Sequence, residues 1–176
     1  MAALRKGHCY KHNTTRPYTR KSKYRKKGFI KSMPASKLVR FHMGDPKKQF
    51  PKTIRLVTKE YFNIRHNSLE SCRILVNRQL QAALGPKGYH FKVNLYPHHV
   101  LRENKMLTGA GADRMQSGMK HSFGKPMGLA ARAKKGSTIF LVNTNEKDVD
   151  TAIKYLKRAG PRLPGRVEIQ IEWKKQ

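Results

Sequence analysis

The sequence predicts an α+β fold in which two helices pack on a mixed β-sheet. Two observations support this. Several segments alternate between apolar and polar residues, as strands do, and two others space their apolar residues by three or four, as helices do. The length of 176 residues fits one compact domain with an extension. We therefore expect a globular domain over residues 37–176, with a loop inserted at 97–126, preceded by a basic arm over residues 1–36.

The first half of the globular part reads as strand, strand and helix. Residues 37–41 and 53–57 are predicted as strands. Asn67 is predicted to cap the helix, because Glu70 follows three residues later, as in a capping box. The Gly85–Pro86 pair is predicted to end it. The buried stripe of this helix comprises Leu69, Cys72, Val76, Leu80 and Ala83.

The second half repeats the pattern around a long loop. Residues 89–95 alternate at period two and are predicted as a strand, and residues 137–142 as another. Asn145 is predicted to cap a second helix, which stops at Gly160–Pro161. Residues 166–173 alternate again and give the last strand. The inward stripe of the second helix comprises Val149, Ala152, Ile153, Leu156 and Ala159.

The charge of the chain implies a polyanionic partner. It has 39 Lys and Arg against 10 Asp and Glu, which gives a formal net charge of +29. So much like charge destabilises a compact state unless a polyanion neutralises it. Nucleic acid is favoured over a membrane surface, because the sequence has neither a basic amphipathic helix nor a lipidation signal. No apolar run reaches the length of a signal peptide or a membrane span.

The two cysteines indicate the redox compartment, and the N-terminal region indicates how the chain contacts its partner. Cys9 and Cys72 lie far apart and fit no zinc pattern, which favours a reducing cytoplasm. Residues 1–44 contain 13 Lys or Arg and no acid. One interpretation of this run is a solvated, disordered tail. The tyrosines interleaved with basic residues over 16–27 favour instead an arm that folds against RNA, gripping phosphates and stacking on bases.

The inserted loop at 97–126 carries the most specific signal. It is long, basic and rich in glycine, and loops of this length are usually functional or disordered. Gly109 and Gly111 would allow the backbone to approach phosphate or ribose closely. Residues 109–114 begin like a dinucleotide-binding fingerprint, but Arg114 stands where the third glycine belongs. The His98–His99 pair has no carboxylate or thiol cluster beside it.

These observations disfavour catalysis, and we expect no cofactor and no metal. The ten acids are scattered along the sequence, and no pair of them can be placed together for hydrolysis. Two alternatives to a structural RNA-binding protein are an RNA-modifying or RNA-cleaving enzyme and a DNA-compacting or membrane-surface protein. Turnover on an rRNA fragment would support the first. Competition by duplex DNA or anionic vesicles would support the second.

The loop residues 97–114 resemble the signature of the universal large-subunit ribosomal protein number sixteen family, called ten in eukaryotes and ten-e in archaea. The likeness extends to segments 16–18, 34–37, 43–44, 68–70, 77–78, 116–119, 123–126 and 130–132, so it spans nearly the whole chain. The resemblance implies a hammerhead-type α+β fold bound to large-subunit rRNA. It also implies that the loop points toward the peptidyl-transferase centre and helps to position tRNA ends. Peptide-bond chemistry would belong to the RNA, while the protein supplies charge and shape.

The resemblance also implies site residues and partners. The rRNA-binding set is Arg16, Tyr18, Arg20, Lys21, Lys23, Arg25, Lys37, Arg78, Lys120, Lys125 and Arg132. The tRNA-proximal set is Arg102, Asn104, Lys105, Gly109, Gly111, Ala112, Asp113 and Arg114. The expected partners are large-subunit rRNA, the tRNA ends at the A and P sites, and neighbouring ribosomal proteins, with no membrane and no homo-oligomer. The expected location is the cytoplasm, within the ribosome.

Overall fold

A computed structural model of the chain describes residues 6–12, 30, 33–104 and 124–173. Two helices and two antiparallel sheets make up these residues, which confirms the α+β class. The helices are α1 (His66–Leu84) and α2 (Val149–Lys157). The strands are β1 (His42–Gly44), β2 (Lys52–Thr58), β3 (Phe62–Arg65), β4 (Tyr89–Val93), β5 (His99–Glu103), β6 (Lys125–Ala133), β7 (Thr138–Thr144) and β8 (Val167–Trp173). Short 3-10 turns cover Gly7–Tyr10, Glu146–Asp148 and Gly160–Arg162.

The strands form a large sheet, in the order β1-β4-β7-β2-β8, and a small sheet, in the order β3-β6-β5. Every strand pair in the described residues is antiparallel, so the predicted single mixed sheet is wrong. The reason lies in the connections that the helices make. Helix α1 leads from β3 in the small sheet to β4 in the large sheet, and β7 and β8, which α2 connects, have β2 between them. Neither helix therefore joins neighbouring parallel strands.

One core is shared by both sheets and both helices. Helix α1 contacts β3, β4 and β6, and α2 contacts β2, β7 and β8. In the large sheet the Phe91 and Phe140 rings lie 5.5 Å apart at 58°, and both residues are fully buried. Burial of each such side chain stabilises the fold by roughly 1.5–3 kcal/mol. The small sheet adds Phe62, Ile64, Ala131 and Ala133 to the same apolar cluster.

The predicted stripe of α1 is confirmed except at its last position. Leu69, Cys72, Val76 and Leu80 are fully buried, whereas Ala83 is exposed. A four-residue step from Leu80 brings Leu84, rather than Ala83, against the core. Burial raises the pKa of the Cys72 thiol to about 12, and its Sγ lies 3.7 Å from the Ala159 carbonyl oxygen. Cys72 is therefore a core residue, as the sequence predicted.

The predicted helix starts are wrong, although the ends are close. Helix α1 follows directly on β3, with Arg65 as its N-cap residue and no side-chain capping bond. Asn67 accepts a hydrogen bond from the Ser68 N–H instead, and Glu70 pairs with Arg73. The α1 C-cap is Gly85 with φ 71°, as predicted.

Helix α2 begins after a 3-10 turn rather than at Asn145, whose side chain makes no capping bond. Three residues of the predicted stripe are buried and two pack partly buried against the core. The buried residues are Ala152, Leu156 and Ala159, and the partly buried ones are Val149 and Ile153. The last two predicted strands shift by one or two residues, to β7 and β8 as given above.

Two other predicted segments need correction. Residues 37–41 form no strand, because side-chain hydrogen bonds there take the place of hydrogen bonds to a neighbouring strand. Ser36 Oγ bonds both backbone groups of Leu38, and the Lys37 N–H donates to His66 Nδ1. The predicted loop 97–126 contains all of β5 and the start of β6, so the connection between strands covers only residues 104–124. Its central residues, 105–123, lie outside the described residues.

Candidate nucleic-acid interface

One face of the small sheet gathers Arg or His side chains from all three strands. Ala130 on β6 pairs with Arg65 on β3 and with His99 on β5, and Arg132 lies two residues after Ala130. Cross-strand partners and alternate residues share a face of a sheet. Arg65, His99 and Arg132 are therefore on one face. The opposite face supplies the core residues Phe62, Ile64, Ala131 and Ala133.

A β-bulge lies at the end of this face. Leu101 pairs with Gly128, but the next residue, Arg102, pairs with Pro126, so β6 has one extra residue at this point and β5 has none. Strand β5 therefore alternates without interruption, and Arg102 projects from the side opposite to His99. We call the face that carries Arg65, His99 and Arg132 the arginine face.

The pKa of His99 indicates that Arg132 and Arg102 both lie near its ring. His99 is buried, with 6% of its surface exposed. Its pKa is lowered to about 4, first by burial and then by the charges of Arg132 and Arg102. The imidazole is therefore neutral at physiological pH. It packs between cations without adding to their charge.

Residues 6–12 lie across the arginine face. The Asn63 N–H donates to the Lys11 carbonyl (3.0 Å), and Asn63 Nδ2 donates to the His12 carbonyl (2.9 Å). The Tyr10 ring lies 4.9 Å below the Arg65 guanidinium, and its hydroxyl donates to Glu103 Oε2 at 3.0 Å. Tyr10 thus reaches from β3 to the end of β5. This anchors the start of the basic N-terminal region on the face that holds the arginines.

Lys37 contacts His66, the residue that follows β3. Its N–H bond to His66 Nδ1 measures 3.3 Å. Burial, then Lys37 and Arg65, lower the pKa of His66. A Cβ on Gly128 would lie 3.2 Å from His66 Nε2, so β6 also passes against this imidazole. Two histidines with lowered pKa values, His66 and His99, thus lie beside the cations of the small sheet.

The sequence comparisons agree with this geometry. The family model for ribosomal protein L16p/L10e matches residues 19–170. The chain belongs to this family. Relatives described as large ribosomal subunit protein uL16 include one from Methanococcus maripaludis, 41% identical over 96% of this chain and 94% of the relative. Another, from Staphylothermus marinus, is 42% identical over 92% of this chain and 89% of the relative. A third, from Methanosphaerula palustris, is 40% identical over 94% and 92%.

In this L16p/L10e chain the structure groups some predicted site residues and separates others. Arg102, Lys125 and Arg132 lie on adjacent strands β5 and β6, and Asn104 follows β5 directly. Lys37 is exposed near them, but Arg78 is exposed on α1, away from the small sheet. The other predicted site residues lie outside the described residues. They are Arg16, Tyr18, Arg20, Lys21, Lys23, Arg25, Lys105, Gly109, Gly111, Ala112, Asp113, Arg114 and Lys120.

Sequence reasoning missed Tyr10, Asn63 and Arg65, which complete the arginine face of this family member. The position of Arg65 on a strand could not be predicted, because β3 leads directly into α1 and no turn separates the two. Tyr10 and Asn63 were hidden because their partners are about 50 to 90 residues away in sequence. The one local signal was Tyr10 itself, an aromatic ring in a basic segment.

The carboxylates of the described residues serve mainly as counter-charges. Glu60, Glu70, Glu146, Glu168 and Glu172 each pair with a Lys or Arg within 4 Å. Within the described ranges there is no group of three His, Cys, Asp or Glu residues placed to hold a metal ion. Nor does any helix in those ranges have the length and apolar character needed to cross a membrane.

Proposed function

We propose that this chain is a structural protein of the large ribosomal subunit that binds rRNA through the arginine face and the basic residues around it. Its membership of the L16p/L10e family over residues 19–170 carries the proposal. The net charge of +29 supports it, because many phosphate contacts made at once would neutralise the chain and release counterions. The proposed setting is the cytoplasm, within the ribosome, among neighbouring ribosomal proteins and without a homo-oligomer.

The proposed rRNA contacts fall into three groups. Lys37, Lys125 and Arg132 adjoin or belong to the small sheet, where Glu103 is the only acid on its three strands. Arg78 would make a separate contact from the exposed side of α1. The remaining contacts would come from the basic residues between 16 and 25 and from Lys120. Arginine forks can hold phosphate oxygens bidentately, which suits a face built from guanidinium groups.

We further propose that residues 104–124 reach toward the tRNA ends near the peptidyl-transferase centre. Arg102 and Asn104 stand where this segment leaves β5, on a strand fixed by its pairing with β6. The tRNA-proximal residues from Lys105 to Arg114 would follow along the segment. The protein would position the tRNA ends by charge and shape, while RNA carries out peptide-bond formation.

Charge removal at matched sites tests the rRNA contacts. The triple variant Lys37→Ala, Lys125→Ala and Arg132→Ala should bind large-subunit rRNA more weakly, with a salt-dependence slope reduced by roughly 2–3. The control, Lys154→Ala, Lys157→Ala and Arg158→Ala, removes the same charge from exposed positions in and just after α2. Equal losses in the two variants would mean that net charge alone drives binding. Competition by duplex DNA as strong as that by rRNA would favour the DNA-compacting alternative.

A second variant separates the two proposed roles. Replacing Arg102 and Lys105 with Ala should leave incorporation into large subunits largely intact and lower translation activity. The reason is that these side chains would act near tRNA rather than hold the chain on rRNA. Sedimentation measures incorporation, and peptide synthesis per assembled ribosome measures activity. Poor incorporation with normal activity per ribosome would contradict this division of roles.

A further inference from the structure

The longest edge strand of the two sheets, within the described residues, is β8. The edge strands there are β1, β8, β3 and β5, with three, seven, four and five residues in that order. The edge of β3 is covered by the N-terminal residues, because the Asn63 N–H donates to the Lys11 carbonyl. Strand β8 pairs only with β2 among the described strands, so its outer N–H and C=O groups lie along an open edge of that part of the chain.

Strand β8 lacks most of the features that keep edge strands from pairing with other chains. Edge strands are usually short, interrupted by a bulge, or occupied by Pro or Lys. Residues 167–173 contain neither Pro nor Lys. Their pairing with β2 runs from Val167 to Trp173 without a shift in register. The edge of β8 is therefore suited to accept a further strand.

The side of β8 that faces the core carries an apolar stripe that is incompletely covered. Ile169 pairs with Leu56 and Ile171 pairs with Ile54, and both of these β2 residues are buried. Ile169 packs partly buried against the same core, whereas Ile171 is 47% exposed. An added strand would cover Ile171 with an apolar side chain of its own.

The opposite side of β8 is acidic. It carries Glu168, Gln170 and Glu172, and the strand has no Lys or Arg. The two carboxylates pair with Lys59 and Arg55, but the glutamate side chains remain 49% and 46% exposed. This strand therefore carries negative charge in a chain of net charge +29. It attracts basic side chains and repels RNA phosphates.

A second copy of this chain fits the same edge poorly. If two β8 strands paired antiparallel over their full length, Gln170 would lie opposite Gln170. Glu168 of each copy would then lie opposite Glu172 of the other. Like charges directly opposite each other destabilise a sheet. The strand that fits this edge brings Lys or Arg instead of glutamate.

We propose that the open edge of β8 binds an extended segment of a neighbouring ribosomal protein, which adds a strand to the five-stranded sheet. The segment alternates apolar residues, which cover Ile169 and Ile171, with Lys or Arg, which face Glu168 and Glu172. Main-chain hydrogen bonds hold the segment, and its alternating side chains give specificity. This rests on the proposed function, since the partner is a protein of the same ribosomal subunit.

A density map of native large subunits tests the proposal directly. The expected result is a protein strand hydrogen-bonded along β8, with a Lys or Arg side chain beside Glu168 or Glu172. A particle that contains the chain but has solvent, RNA or a second copy of the chain along this edge overturns this inference and leaves the proposed function standing. Particles that lack the chain overturn both.

A lysine on the edge strand provides a second measurement. Ile171→Lys places a positive charge where an apolar side chain of the partner would pack. Large subunits that carry this variant should lose the protein whose strand the map shows roughly fivefold faster in a salt wash, the size expected for one lost cross-strand pair. Mass spectrometry of the washed subunits measures how much of that protein remains.

Ile74→Lys is the matched control, because it makes the same change on α1 at a similar exposure of 52%. Subunits with Ile74→Lys should keep the paired protein as the wild type does. Equal rates of loss in the two variants would show that β8 does not hold that protein, and the inference would then be wrong.

Discussion

The large and small sheets are both antiparallel and share a core, but they differ in how many acidic residues accompany their basic residues. On the large sheet, Arg55 pairs with Glu172 at 2.6 Å and Lys52 pairs with Glu146 at 3.3 Å. On the small sheet, β3, β5 and β6 carry four cations and one acid, Glu103, which accepts a bond from Tyr10. Half of the ten acids fall within residues 146–172, and none in residues 1–44. The charge of the large sheet is thus partly offset by ion pairs, whereas the strands of the small sheet carry an excess of positive charge, which suits a polyanionic partner.

The apolar contacts of the two sheets give the largest expected difference. Phe140 is fully buried in the main cluster, whereas Val100 belongs to a small cluster with Ile30 and Leu129. Phe140→Ala should lower the free energy of unfolding by about 3–5 kcal/mol, through lost burial and a cavity. Val100→Ala removes two carbon groups and should cost about 2 kcal/mol. Urea unfolding followed by circular dichroism measures both values, and equal losses would contradict a core centred on the large sheet.

The same contrast explains what the sequence could predict of the fold. The stripe of α1 and the strands β2, β4, β7 and β8 were visible because their apolar residues follow the periods of helix and strand. Strands β5 and β6 were not, since Pro97, Gly124 and several polar residues give that stretch the composition of a loop. Their pairing joins residues that flank a long connection, and local patterns do not report such contacts.

The site was predictable to a smaller degree. Arg102, Lys125 and Arg132 were proposed as site residues from the resemblance to a known family, and the structure places them on adjacent strands. Periodicity alone would have left them in a loop. The arginine face depends on the pairing of β3 and β5 with β6, which joins residues far apart in sequence. Local patterns do not report such pairing, so the face could be found only from the structure.

Acid should affect the small sheet strongly, through His99. Burial and the charges of Arg132 and Arg102 lower its pKa from 6.5 to about 4, so protonating it in the fold costs about 3 kcal/mol. The unfolded chain takes up this proton first. The contribution of His99 is therefore fully present above pH 6.5 and is lost as the pH falls toward 4. His99→Gln should flatten the decrease in unfolding free energy over this range.

His98→Gln provides the matched control, since it removes the neighbouring imidazole, which is exposed. Urea unfolding at several pH values between 7 and 4 compares both variants with the wild type. A flattening of equal size in the two variants would show that any histidine has this effect. Bound rRNA should weaken the pH effect in the wild type, because phosphates beside Arg132 would favour a protonated His99.

The smallest expected effect tests whether internal counter-charges keep the large sheet from binding RNA. The Arg55–Glu172 pair is partly exposed, at 37% and 46% of the two side chains, so its loss in Glu172→Gln should change stability by no more than about 1 kcal/mol. RNA binding is the more sensitive measurement, because a released guanidinium can take a phosphate in place of the carboxylate. The salt-dependence slope for rRNA should then rise by about 0.9. Glu172→Asp keeps the charge and should keep the wild-type slope, whereas an unchanged slope in Glu172→Gln would mean that shape rather than charge balance separates the two sheets.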